Sequence, residues 1–99
     1  MVLQAKTFIL TFSEPIVIGD LKCELVAQVC GDKKDYDIDF MDVDNIVYRD
    51  VPIIGYENWS KFRKFHKEMG IDFDEILRKH FNEIFTEEAL EPFINKIKF

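Results

Sequence analysis

The amino-acid sequence predicts an α+β domain in which an antiparallel sheet of three to four strands has two to three helices packed on one face. Apolar and polar residues alternate up to Tyr56, and apolar residues recur every three or four positions after Glu57, which are the periods of strands and helices. The chain has 99 residues, a length typical of one domain, and 47% of them are apolar. We therefore expect a single domain over 1–99, with a sheet half at 1–56 and a helical half at 57–99.

The first two strands are predicted to form a hairpin around Gly19-Asp20, where glycine supplies the positive φ that a type I′ or II′ turn needs. Ser13-Glu14-Pro15 interrupts the first strand, because proline cannot donate to a central strand, so we expect a bulge or an edge there before Ile16–Ile18 resumes it. In the second strand the odd-numbered residues are apolar and should all face the core, so Cys23 is predicted to be a core thiol. That parity comprises Leu21, Cys23, Leu25, Ala27 and Val29.

A turn over Gly31–Lys34 leads to a third strand from Asp35 to about Tyr48, and Val51–Ile54 can add a short fourth. The third strand carries five aspartates and no base between them, which we call the aspartate row. The row comprises Asp35, Asp37, Asp39, Asp42 and Asp44.

Strict alternation would bury Asp42 and Asp44, which is too costly for unpaired carboxylates. The sequence therefore predicts a bulge near Phe40-Met41. One extra residue there puts the whole row on one solvent face and moves Met41 and Val43 to the buried face.

Three helices are predicted in the second half. Asn58 can cap the first and Gly70 ends it. Asp72 and Glu75 have the spacing of a capping box for the second helix, and Thr86 can cap a third that Pro92 should kink or break. The first helix is predicted to bury Trp59, Phe62, Phe65 and Met69, with His66 at the boundary. The second is predicted to bury Phe73, Ile76, Leu77, His80, Phe81, Ile84 and Phe85.

Charge and composition exclude several classes of function. The net charge of −6 argues against direct binding of nucleic acid or anionic lipid. No apolar stretch approaches a membrane span and no signal peptide is evident, so we expect a cytoplasmic protein. Cys23 and Cys30 match neither a disulfide framework nor a zinc site, although their pairing stays open. No framed nucleophile or phosphate-binding glycine loop is present, so we expect neither catalysis nor a cofactor.

Three interpretations of the aspartate row compete: a solvated strand face, a surface for a basic partner, and a metal site. An EF-hand would need glycine and glutamate where the chain has Phe40 and Ile46, which argues against calcium. Our working hypothesis is a non-catalytic module whose aspartate row binds a basic protein, such as a nucleic-acid-binding one, with Tyr48 adding a short-range contact. The alternative is a small enzyme or ligand-binding domain with a pocket near Tyr56, Trp59 and His80.

A homodimer is also compatible with the sequence. The first helix has a basic face that could neutralise the aspartate row within the molecule or across a dimer, and it comprises Lys61, Arg63, Lys64 and Lys67. Some apolar residues are predicted on the sheet face opposite the core, where a second copy could cover them. They are Ile9, Val17, Val26 and Val47.

Overall fold

The computed structural model describes residues 6–97 and contains four strands followed by three helices. The strands form one antiparallel sheet in the order β1-β2-β3-β4. The predicted α+β architecture is confirmed. The elements are β1 (Phe8–Ile18), β2 (Leu21–Gly31), β3 (Tyr36–Tyr48), β4 (Val51–Pro52), α1 (Tyr56–Glu68), α2 (Phe73–Ile84) and α3 (Glu87–Asn95).

The β1–β2 hairpin is regular along its whole length. β1 continues through Pro15 in a single register with β2, so the predicted interruption at Ser13-Glu14-Pro15 does not occur. The strand tolerates the proline because β1 lies at the edge of the sheet, as the sequence allowed. At the turn Gly19 has a φ of 57° and Asp20 is not among the residues with positive φ, which is the pattern of a type II′ turn.

β3 pairs with β2 through two bulges. Val26 lies opposite Asp42 and Ala27 opposite Phe40, so the residue between Phe40 and Asp42 is extra, which confirms the predicted bulge. That residue is Met41, and it is 53% exposed because the bulge leaves it unpaired, so its predicted burial is wrong. Val43 packs against the core as predicted.

The second bulge was not predicted. Between the pairs Glu24–Asp44 and Lys22–Val47, β2 has one residue and β3 has two. Asn45 is one of the two, with a φ of 50°, a conformation that asparagine tolerates better than most residues. This bulge reverses the direction of the side chains that follow it in β3.

The core lies between the sheet and the helices. Leu21, Leu25, Ala27 and Val29 of β2 are fully buried. Aromatic contacts attach each helix to the same sheet face: Phe62 of α1 to Tyr48 at 4.9 Å, Phe81 of α2 to Phe40 at 4.7 Å, and Phe93 of α3 to Phe12 at 5.6 Å between ring centroids.

The caps of α2 and α3 are as predicted. Asp72 Oδ1 accepts a hydrogen bond from the Glu75 N–H, and Thr86 Oγ1 accepts one from the Ala89 N–H. Pro92 was predicted to kink or break α3, and it does not break the helix, which continues to Asn95. Its residues Leu90 and Ile94 are buried, so packing holds the helix together despite the hydrogen bond that proline cannot donate.

The predicted start and orientation of α1 need correction. The helix begins at Tyr56, so Asn58 lies inside it, where its side chain donates to the Ile54 carbonyl at 2.8 Å. Phe65 and Met69 are 59% and 57% exposed, whereas His66 is buried. The buried face follows Trp59, Phe62 and His66, with Arg63 half-buried beside them.

Candidate interaction surface

The aspartate row forms a continuous exposed strip on the sheet face away from the helices. Its four members in β3 pair with even-numbered residues of β2. Because alternate side chains of a strand point to the same face and paired residues share a face, all four aspartates lie on one face. Each is exposed. The four pairs are Asp37–Cys30, Asp39–Gln28, Asp42–Val26 and Asp44–Glu24.

Asp35 lies just before β3, in the turn that joins it to β2. It is also exposed, and its backbone N–H donates to Asp32 Oδ1 at 2.7 Å. The row is therefore a strip of four carboxylates with a fifth at the turn.

The basic face of α1 does not neutralise the row. Arg49 pairs with Asp20, Lys61 with Glu57 and Arg63 with Asp74, and none of these ion pairs includes a member of the row. α1 packs on the opposite side of the sheet, where Arg63 contacts Asp74 of α2 at 2.6 Å. The row's negative charge is thus exposed to a partner.

The remainder of this sheet face is mixed. Ile9 and Val17 are 71% and 63% exposed at the two ends of β1, whereas Val26 is buried and Val47 half-buried in the inner strands. The predicted position of these four residues opposite the core holds, but only the two in β1 are accessible.

Tyr48 does not belong to this surface. It is half-buried on the helix-covered face, with its ring 4.9 Å from that of Phe62 and 5.5 Å from that of His66. The bulge at Asn45 reverses the parity between Asp44 and Tyr48, so the two side chains point to opposite faces. The signal available in the sequence was Asn45 itself, an asparagine in a polar stretch of strand, since asparagine tolerates a positive φ better than most residues.

A groove runs between β3 and the helices α1 and α2, with a cavity volume of about 690 Å³. Tyr56 and Trp59, which the sequence placed at a candidate pocket, line it. The groove also reaches Asp39 and Asp42 of the row, because β4 is too short to cover this part of the β3 edge. The third predicted residue, His80, is half-buried on α2 and is not among the lining residues. The other lining residues are Phe40, Val43, Arg63, Asp74, Leu77 and Arg78.

The groove continues towards the β3–β4 turn, where a cavity of about 470 Å³ shares Asp42, Val43, Tyr56 and Trp59 with it. Tyr56 is 78% exposed at the junction of the two cavities. The groove is therefore an open channel along β3 and not an enclosed pocket.

Arg63 is the half-buried cation of the groove wall. Its guanidinium lies 5.4 Å from the centroid of the Trp59 ring and donates from Nη1 to Asp74, while its Nε is buried without a hydrogen-bond partner. The ion pair with Asp74 joins α1 to α2, and together with the contact to Trp59 within α1 it accounts for a charged residue on the inner side of α1.

Cys23 and His66 are core residues of the domain. Cys23 and Cys30 are free thiols, and their parity places them on opposite faces of the sheet. Burial raises the pKa of the Cys23 thiol to about 11, so it is protonated at neutral pH. His66 is buried, and its Nδ1 donates to the Phe62 carbonyl at 2.9 Å.

In the part of the chain that the structure describes, no group of three or more histidine, cysteine, aspartate or glutamate side chains is arranged to hold a metal ion. None of the helices described is long and apolar enough to cross a membrane. Comparison of the chain with protein-family models, with curated proteins and with solved structures finds no match.

Proposed function

We propose that this domain is a non-catalytic interaction module that binds a basic surface of another protein through the aspartate row. One observation carries the proposal: four exposed carboxylates lie in a line on the sheet face away from the helices, and the ion pairs that Arg49, Lys61 and Arg63 form within residues 6–97 include none of them. Tyr48 is not part of the contact surface, because its side chain points to the opposite face.

The spacing of the row explains why a basic partner suits it. Side chains two residues apart on a strand are about 6.6–6.8 Å apart, so neighbouring carboxylates repel one another within one Debye length, which is about 8 Å at physiological salt. Lysine or arginine side chains of a partner would relieve this repulsion and would steer the encounter. A nucleic-acid-binding protein is one source of such a surface, since its groove is built for phosphates at a similar spacing.

Two variants with equal net charge test the proposal. The row variant carries Asp37→Asn, Asp39→Asn and Asp42→Asn. The control variant carries Glu68→Gln, Glu83→Gln and Glu88→Gln, three exposed acids on the helices. Both variants and the wild type serve as baits in native lysate at two salt concentrations, with retained proteins identified by mass spectrometry and their dissociation constants then measured with purified protein.

We expect a basic protein that the wild type and the control variant retain, that the row variant loses, and that dissociates at the higher salt. Loss of about 1 kcal/mol per removed charge contact would weaken binding by roughly a hundredfold or more for three contacts. Equal loss in both variants would show that only net charge matters, and equal retention by both would show that the row is a solvated face. Either result contradicts the proposal.

A further inference from the structure

β3 has a free edge next to the aspartate row. β4 pairs only with Val47 and Tyr48, and one further bond joins the Ile53 N–H to the Ile46 carbonyl at 2.8 Å. From Tyr36 to Asn45 the outer side of β3 has no strand partner among residues 6–97. Apart from its pairing with β2, no backbone-to-backbone hydrogen bond involves this stretch in the described chain.

The alternation of an antiparallel pair shows which backbone groups face this edge. The Asp32 N–H donates to the Asp35 carbonyl at 3.0 Å, so these two residues, which face each other across the strands, form a hydrogen-bonded pair. In an antiparallel ladder hydrogen-bonded and non-hydrogen-bonded pairs alternate, so every second pair after this one is hydrogen-bonded too. Asp37 and Asp39 therefore bond to β2. The N–H and C=O groups that point outward belong to Tyr36, Ile38 and Phe40.

The open part of the edge ends at the first bulge. Met41 has no partner in β2, and beyond it the N–H of Val43 is bonded to the side chain of Asp42 at 2.8 Å. A strand added to β3 would therefore pair with Tyr36–Phe40.

The two sides of that stretch differ in chemistry. On the open sheet face an added strand would lie beside Asp37 and Asp39, and on the helix-covered face beside Ile38 and Phe40. Near Phe40 the second side opens into the groove, where Leu77 and Trp59 form part of the wall. Because side chains alternate along a strand, the complementary sequence alternates lysine or arginine with apolar residues.

Charge argues against a second copy of the chain as the occupant. Pairing β3 with β3 of another copy would bring the exposed aspartates of both strands together on one face, and like charges opposite one another destabilise a strand pair. The other edge strand, β1, contains Pro15 on its open face, and proline cannot donate to an added strand, so β1 of another copy is poorly suited to pair with β3.

The geometry points to strand addition as the mode of binding: an extended segment of the basic partner, alternating basic and apolar residues, pairs with the β3 edge over Tyr36–Phe40. This inference rests on the proposed function, since the partner's basic side chains would contact Asp37 and Asp39.

The test uses a short synthetic peptide in which lysine alternates with valine, added to the ¹⁵N-labelled chain and followed by NMR. Two further peptides carry N-methyl groups on every valine or on every lysine, which removes one set of backbone donors and keeps the charge. In antiparallel addition the valine N–H groups face β3, and in parallel addition the lysine N–H groups do. One methylated peptide should therefore bind about tenfold more weakly than the other, the cost of one or two backbone hydrogen bonds.

We also expect the amide signals of residues 36–40 to shift, and those of β1 to stay in place. Two results would overturn strand addition. One is equal binding of the two methylated peptides. The other is the absence of amide shifts with the parent peptide up to about millimolar concentration, which corresponds to a binding free energy of only about 4 kcal/mol.

The row variant distinguishes this failure from that of the proposed function. If the methylated peptides bind alike but the row variant binds the parent peptide more weakly, strand addition fails and the acidic surface stands. If the row variant binds the parent peptide as well as the wild type, the proposed function fails.

Discussion

The carboxylate of Asp42 accepts a hydrogen bond from the backbone N–H of its neighbour Val43, with 2.8 Å between Oδ1 and N. This bond uses an N–H that would otherwise face the free edge of β3, just past the bulge at Met41. Asp42 thus has two roles: its charge belongs to the aspartate row, and one of its oxygens closes the edge to further strand pairing.

Replacing Asp42 separates these two roles. Asp42→Asn removes the charge and keeps an oxygen acceptor, whereas Asp42→Ala removes both. We expect the Val43 amide to exchange with solvent about tenfold faster in the alanine variant than in the asparagine variant, with global stabilities within about 1 kcal/mol of each other. Amide hydrogen exchange followed by NMR measures the difference. Equal exchange rates would show that the Asp42 side chain does not protect this N–H.

The aspartate row should also keep the chain from pairing with itself. In the row variant three like charges beside the β3 edge are gone, so we expect it to self-associate at concentrations where the wild type and the control variant do not. Sedimentation velocity over a concentration series at low salt tests this. Self-association of the control variant to the same extent would assign the effect to lower net charge and not to the edge.

Gly31 should be the glycine least tolerant of substitution. Its φ is 139°, and a Cβ there would lie 2.5 Å from the Asp35 carbonyl oxygen and 2.7 Å from the Tyr36 Cα. Gly19 also has a positive φ, 57°, but open space around it. We expect Gly31→Ala to cost at least about 3 kcal/mol and Gly19→Ala about 1 kcal/mol of unfolding free energy, measured by urea denaturation. Similar costs at both sites would contradict the packing of the β2–β3 turn.

The sheet could be predicted well from the sequence, because strand pairing follows local patterns and because burying an unpaired charge costs a large free energy. Burying Asp42 and Asp44 is so unfavourable that the bulge at Met41 followed from the pattern alone. The second bulge, at Asn45, carries no such penalty, since strict alternation after Asp44 violates no rule of burial. Because of that bulge Tyr48 lies on the helix-covered face, opposite the aspartate row with which the sequence grouped it.

The orientation of α1 could not be predicted from apolar spacing. Arg63 and His66 lie on the inner side because Asp74 accepts a hydrogen bond from Nη1 of Arg63 and the Phe62 carbonyl accepts one from Nδ1 of His66, and Asp74 belongs to another helix. Phe65 and Met69 were the better hydrophobic choice by residue type and are nevertheless exposed. The free edge of β3 could not be predicted from the sequence either, because it depends on how short β4 is.

His66 should stabilise the fold mainly through its ring. The ring lies 4.1 Å from that of Phe62, 5.2 Å from Phe73 and 5.5 Å from Tyr48, so it fills the contact between α1, α2 and the sheet. We expect His66→Ala to lower the free energy of unfolding by about 2–4 kcal/mol, and His66→Phe by about 1 kcal/mol, the value of the hydrogen bond to the Phe62 carbonyl. Chemical denaturation at constant pH measures both. Equal losses would mean that the hydrogen bond, and not the ring, holds α1 in place.

Cys23 should make the fold sensitive to alkali. Burial raises the pKa of its thiol from 9.0 to about 11 in the folded chain. The unfolded chain loses this proton first, so the stability that the protonated thiol contributes is complete below pH 9 and is lost as the pH rises from 9 to 11. We expect the free energy of unfolding of the wild type to fall over this range by about 2–3 kcal/mol more than that of Cys23→Ala. Parallel curves for the two proteins, from urea denaturation at stepped pH, would mean that the thiol ionises as readily inside the core as outside it.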